Sequence, residues 1–143
     1  CFYYVEYAIS IIKGEEKLNA YYITNHTVNA FFDSNEKYIY EKTFFDRILS
    51  GEIYDLQEDD ILSSGYVIDS LEAALWCFFK NDDYKSTVLN AVNLGEDTDT
   101  IAAIVGGLAG IYYGFDSIPE NWINSIAKKN EIEKLCNRFY LSM

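Results

Sequence analysis

One histidine, one proline and one methionine stand in 143 residues, and only 11 lysines and arginines face 23 aspartates and glutamates. The shortage of cations excludes two classes of partner. Nucleic acid and anionic membranes are both held by basic patches, and the few cations here form no cluster under a formal net charge of −12. A single small phosphate ligand is still admissible, because a metal ion or a helix N-terminus offsets phosphate charge locally. The cysteines, Cys1, Cys77 and Cys136, are odd in number and far apart. They match neither a zinc spacing nor a disulfide framework. Cys77 falls on an apolar helical face, which predicts a buried, reduced thiol and a reducing compartment. No signal peptide is visible, and the uncharged run from Ile101 to Phe115 is short against the ~20 residues that a membrane-spanning helix needs. The expectation is a soluble, cytoplasmic protein. No segment alternates convincingly at period two, so strands are not expected either.

What is present is apolar and aromatic. Half the residues are hydrophobic, with thirteen tyrosines and nine phenylalanines, enough for one domain with a real core and too short for two comfortable ones. Phe2, Val5, Ile9 and Ile12 recur at helical spacing up to Gly14. The chain opens in mid-pattern without a cap or an initiator methionine, which predicts a fragment whose N-terminus lies upstream. A second helix is expected from Glu15 or Glu16 to Phe32, with Leu18, Tyr22, Val28 and Phe31 or Phe32 inward. His26 lies on it among tyrosine, asparagine and threonine, and reads as a hydrogen-bonder rather than a ligand. Residues 36–49 suit a third helix, although Tyr38, Ile39 and Tyr40 would also suit a strand. Gly51 to Asp60 reads as an acidic loop, its Glu58-Asp59-Asp60 run as a solvated face.

Asp69 followed by Glu72 resembles a capping box, and Leu71, Ala74, Leu75, Phe78 and Phe79 then mark an amphipathic helix. After a turn at Asn81-Asp82-Asp83, Tyr84, Val88, Ala91 and Val92 define another. Leu94-Gly95 leads into Glu96-Asp97-Thr98-Asp99-Thr100 and the uncharged run that follows. A helix apolar on every side is expected to be buried. Ala102, Gly106, Gly110 and Gly114 leave one face nearly bare, at roughly 1 kcal/mol of helix propensity per glycine, so that neighbours approach closely. Pro119 fits the first turn of a short helix, and Ile132, Leu135, Cys136 and Phe139 mark the last one.

The acidic cluster admits two readings. Two carboxylates and a threonine hydroxyl are hard oxygen ligands for Mg²⁺, Mn²⁺ or Ca²⁺, and a helix N-terminus keeps carboxylates ionised. Asp and Thr at a helix start are also ordinary caps. An EF-hand counted from Asp97 fails, because Ala102 and Leu108 stand where glycine and glutamate are required. An aspartyl phosphotransferase pattern fails because a helix, not a strand, precedes the aspartates.

The run Gly95-Glu96-Asp97-Thr98-Asp99-Thr100-Ile101-Ala102-Ala103-Ile104-Val105-Gly106-Gly107-Leu108-Ala109-Gly110 resembles the C-terminal signature of the ADP-ribosylglycohydrolase family, of the dinitrogenase reductase-activating type. The segment Ser64 to Trp76 and the stretch Ile118-Pro119-Glu120-Asn121-Trp122 are similar to the segments that flank that signature, and the Tyr-Val-Glu-Tyr-Ala helix ending at Lys13-Gly14 matches more loosely. The resemblance implies an all-α, orthogonal multi-helix bundle, with residues 1–143 forming the C-terminal part of a single domain whose N-terminal portion is missing. It implies two Mg²⁺ or Mn²⁺ ions that bind ADP-ribose, and hydrolysis of the glycosidic bond joining ADP-ribose to a modified protein side chain or related conjugate. Carried over by position, Asp97 and Asp99 serve catalysis as carboxylate metal ligands, Asp99 as the bridge, with Thr100 adding its hydroxyl. Ser64, Gly65 and Tyr66 lie near the ribose and diphosphate. The N-terminal Thr-Asp-Asp-Thr-type motif that supplies the family's other ligands is not in this sequence. The resemblance therefore implies half an active site, completed by a missing N-terminal half that would be present as a separate chain if the activity is to operate. The alternative is a non-catalytic ADP-ribose-binding or structural relative. A fragment of a larger bundle is further expected to expose apolar surface on its first helix and to self-associate.

Overall fold

The computed structural model describes residues 1–142. It is all-α: α1 (Phe2–Ile12), α2 (Lys17–Asp33), α3 (Ile39–Lys42), α4 (Asp46–Leu49), α5 (Val67–Lys80), α6 (Tyr84–Asn93), α7 (Thr98–Tyr113), α8 (Glu120–Ser125) and α9 (Lys129–Tyr140), with short 3₁₀ turns between them. Among the described residues no helix is long and apolar enough to cross a membrane.

α5 is the most enclosed element. Every residue from Ser70 to Phe78 is buried, which exceeds the single stripe its periodicity predicted, because α6 and α7 pack against it and Ile53 lies under it. Burial pushes the Cys77 thiol up to about 12, so it stays protonated. Lys17 closes the end of this helix. Its ammonium donates to the Phe78 and Asn81 carbonyl oxygens at 2.8 and 2.5 Å, within 4.7 Å of the Phe78 ring centre and 5.0 Å of that of Tyr113. A cation is favoured both at a helix C-terminus and over aromatic faces.

α7 lies against α6, α5 and α1. It is not buried all round as expected. Ile101, Val105, Leu108 and Ala109 face the core, while Ala103, Gly107 and Ile111 face outward. The bare glycine face does receive a neighbour: a Cβ at Gly106 would stand 3.5 Å from the Tyr84 hydroxyl of α6, and one at Gly110 3.9 Å from its ring. On α1, a Cβ at Gly107 would lie 2.5 Å from the Tyr4 hydroxyl, which donates to the Ile104 carbonyl oxygen.

Several expected faces are rotated. On α1 the buried residues are Tyr3, Tyr7, Ser10 and Ile11, while Phe2, Val5, Ile9 and Ile12 are exposed. On α2 the interior takes Ala20, Tyr21, Thr24, Asn25, Val28 and Phe32, leaving Leu18, Tyr22 and Phe31 outside. The cause is hydrogen bonding by tyrosine. Tyr3 donates to Asn25, Tyr7 to the Lys17 carbonyl and Tyr21 to the Ile48 carbonyl, so large amphipathic rings take the centre with their hydroxyls satisfied. His26 is exposed on α2. Residues 36–49 break into short α and 3₁₀ pieces rather than one helix. Glu58, Asp59 and Asp60 are exposed in a 3₁₀ turn.

Candidate functional site

The site is assembled from the α6–α7 junction and the loop that leads into α5. Gly95 and Glu96 both adopt positive φ, 89° and 54°, which reverses the chain within two residues and sets Asp97 at the N-cap of α7. Glycine takes that conformation freely, whereas glutamate does not. Glu96 is exposed, and its strained backbone positions the aspartate that follows.

Asp97 occupies the cap position without acting as a cap. Its side chain accepts no backbone N–H of α7. Instead Oδ1 accepts the Thr100 hydroxyl at 2.9 Å, and Oδ2 faces Gly65, where a Cβ would lie at 3.2 Å. The Asp97 amide donates to the Ser63 carbonyl oxygen at 3.1 Å, and Ser63 Oγ reaches back to the Leu94 carbonyl oxygen at 3.5 Å. Two stretches some thirty residues apart in sequence are thereby fastened side by side. Asp99 is exposed, its Oδ1 accepting the Thr100 amide at 3.0 Å.

The loop is braced from within. Ser64 Oγ donates to Asp69 Oδ2 at 2.6 Å and accepts the Tyr66 amide at 3.1 Å, while Ser70 Oγ donates to the Ser64 carbonyl oxygen. The capping box expected at Asp69 and Glu72 is absent. α5 begins earlier, at Val67 with Tyr66 as N-cap, which frees Asp69 to hold Ser64. Glu72 turns inward and meets Arg47 Nη2 at 2.9 Å. The half-exposed Tyr66 ring stands at the rim. Of the residues expected at the site, Gly65, Asp97 and Thr100 are in contact or bonded to one another, Ser64 is held one residue away, and Asp99 and Tyr66 flank them. The bracing by Ser63, Asp69 and Ser70 was not anticipated. The five-residue spacing of Ser64 and Asp69 was its only sequence signal.

The donor set here is two carboxylates and one hydroxyl, all hard oxygens, in a single helical turn with a glycine opposite. That chemistry fits Mg²⁺ or Mn²⁺. It is a partial shell: among the described residues no three His, Cys, Asp or Glu side chains converge, and octahedral coordination calls for more oxygens than these.

The all-α bundle agrees with the fold that the sequence resemblance implied, and comparison with known proteins bears out the family. The ADP-ribosylglycohydrolase family model matches residues 2–143, and the chain belongs to that family. It is 41% identical over 96 residues to the ADP-ribosylarginine hydrolase Tri1 of Serratia proteamaculans, a match covering 66% of this chain and 26% of that protein. Over 71 residues it is 41% identical to the ADP-ribosyl-[dinitrogen reductase] glycohydrolase of Rhodospirillum rubrum, covering 50% of the chain and 24% of the relative. The human ADP-ribosylhydrolase ARH3 is 31% identical over 83 residues, covering 50% and 23%. The chain thus spans about a quarter of the length of the curated relatives it matches.

Proposed function

We propose that this chain contributes one half of a two-metal site that hydrolyses the glycosidic bond between ADP-ribose and a modified side chain or related conjugate. The observation that carries the reading is the apposition of Gly65 to Asp97, which joins the family's two C-terminal motifs into one surface. Asp97, Asp99 and Thr100 would hold the metal from this side, and the loop Ser64-Gly65-Tyr66 would receive ribose and diphosphate. When bound, the metal pair supplies Lewis-acid polarisation of ribose hydroxyls or of water as oxocarbenium character develops at the anomeric carbon.

The chain's own residues prepare that surface. Thr100 orients the Asp97 carboxylate through its hydroxyl hydrogen bond. Gly65, having no side chain, leaves the other carboxylate oxygen open and lets backbone approach a phosphate closely. The Ser64–Asp69 bond holds the loop in register. Tyr66 offers an aromatic face at the rim, suited to a sugar or base. The names of the relatives, which refer to ADP-ribosylarginine and to ADP-ribosylated dinitrogen reductase, support an ADP-ribosylated protein as substrate.

Isothermal titration of ADP-ribose with Mg²⁺ present tests the reading. The 143-residue chain by itself is expected to give no binding heat, because its ligand set is partial. Supplied with the rest of a family domain, it should bind in a metal-dependent manner, and Asp97→Ala with Asp99→Ala should abolish that binding. Binding that survives both the double substitution and a chelator would refute the half-site.

A further inference from the structure

A cavity that the proposed reaction does not use lies at the end of the bundle away from the half-site. α5 leaves the Ser64–Tyr66 loop and α7 leaves the Asp97 turn; at a rise of ~1.5 Å per residue, both reach this end after about 20 Å. The cavity measures about 460 Å³, within the roughly 300–1,000 Å³ of small-ligand pockets. Aromatic rings from three elements line it: Phe79 of α5, Tyr112 and Tyr113 of α7, and Tyr54 of the 3₁₀ turn Ile53–Asp55. Glu16, just before α2, and Asp82, in the turn between α5 and α6, add two carboxylates to the wall. The charges of this wall do not cancel. Lys17 is the cation among the lining residues, but its ammonium donates to the Phe78 and Asn81 carbonyl oxygens. It lies 4.7, 5.4 and 5.0 Å from the ring centres of Phe78, Tyr112 and Tyr113. None of the ion pairs among the described residues uses Glu16 or Asp82. Two carboxylates therefore share the wall with one ammonium that neither of them pairs, and one negative charge is left over.

We propose that this cavity is a second ligand site, taking an alkylguanidinium cation between its rings with the N–H groups on Glu16 and Asp82. Exposed carboxylates by themselves hold a cation weakly in water. The aromatic faces add an attraction that grows as the cation is desolvated, and Lys17 already shows an ammonium held over rings of this wall. Guanidinium is favoured over ammonium on three counts. It is the more weakly hydrated, it stacks flat on aromatic faces, and its planar fork of donors matches a carboxylate. Glu16 accepts one hydrogen bond, from the Tyr112 hydroxyl, and a carboxylate has further lone pairs to offer. The site needs neither metal nor ADP-ribose, so it stands or falls apart from the half-site.

The test is a ¹H–¹⁵N NMR titration of the 143-residue chain with ethylguanidinium at physiological ionic strength, where general attraction to an acidic protein is screened. Saturable shifts are expected at the amides of Leu18, Tyr54, Phe79 and Tyr112. Ethylurea, which is neutral and of similar shape, should give none. Glu16→Gln with Asp82→Asn should weaken binding at least about tenfold, as loss of charge-assisted hydrogen bonds does. Both changes keep the size of the side chain, and glutamine still accepts from Tyr112. Tyr54→Leu, which removes a ring and no charge, should also weaken it. Glu36→Gln with Glu41→Gln, both exposed beyond the other end of α2, should leave it unchanged. Two further arms identify the source of the cation: tighter binding of N-acetyl-arginine methylamide than of free arginine assigns a chain-borne arginine, and the reverse order assigns the free amino acid. Equal binding of ethylurea, equal weakening by the Glu36 and Glu41 pair, or no shift at the four amides would each overturn the proposal.

Discussion

The backbone at Glu96, with φ of 54°, departs from what a glutamate prefers. A residue without side-chain strain at positive φ is glycine, and asparagine is the best tolerated of the others. Glu96→Asn is therefore expected to raise stability by about 0.5 kcal/mol, a part of the roughly 1 kcal/mol that the left-handed conformation costs a residue with a Cβ. Thermal melting checks it. A lower melting temperature for the variant would mean that the Glu96 side chain makes a contribution exceeding its backbone strain. Asp97, Asp99 and Thr100 were legible in the sequence because they are neighbours and carry the right atoms. That Asp97 would sit at the cap position without capping α7 was not legible, because it depends on where the carboxylate points, and that is decided by Thr100 and by Gly65 arriving from another part of the chain.

Helices announced themselves through periodicity, but their orientation did not. The long elements α2, α5, α6 and α7 fall close to where apolar spacing and turn residues put them. Periodicity cannot choose between two apolar faces, so the buried side of α1 was decided by tyrosine hydroxyls finding partners. The same contacts make Gly107 a sensitive position. Alanine there gains about 1 kcal/mol of helix propensity, yet its Cβ would strike the Tyr4 hydroxyl. Gly107→Ala is expected to cost about 1 kcal/mol overall by chemical denaturation, as overpacking does. Tyr4→Phe added to it should return the protein to the parent's stability or above, and failure to do so would move the conflict to another neighbour.

Another element-level test lies where α4 meets α5. Burial pushes the Glu72 carboxyl up and Arg47 draws it down. A carboxyl whose folded pKa is raised contributes stability that is fully present below its unfolded value and is lost as pH rises through the folded one. Arg47→Ala raises the folded value further. The loss should be about 1–2 kcal/mol near pH 8 and smaller near pH 5, where Glu72 is more nearly neutral, given that Arg47 is half solvated. Urea unfolding at the two pH values decides. An equal loss at both would assign the effect to Arg47 packing rather than to charge.

At the scale of the whole molecule, composition and the resemblance were sufficient for an all-α member of the ADP-ribosylglycohydrolase family. The joining of the Ser64–Tyr66 loop to the Asp97 turn was beyond pattern reading, since it is a tertiary contact between segments whose local sequences neither require nor forbid it. That junction rests on one backbone hydrogen bond, from the Asp97 amide to the Ser63 carbonyl oxygen. Beside the Ser63 hydroxyl bond to the Leu94 carbonyl oxygen, one amide proton thus sits on the seam between two motifs. Its exchange with deuterated water is a clock for the seam: whatever parts the loop from the turn releases that proton, and whatever clamps them together retains it.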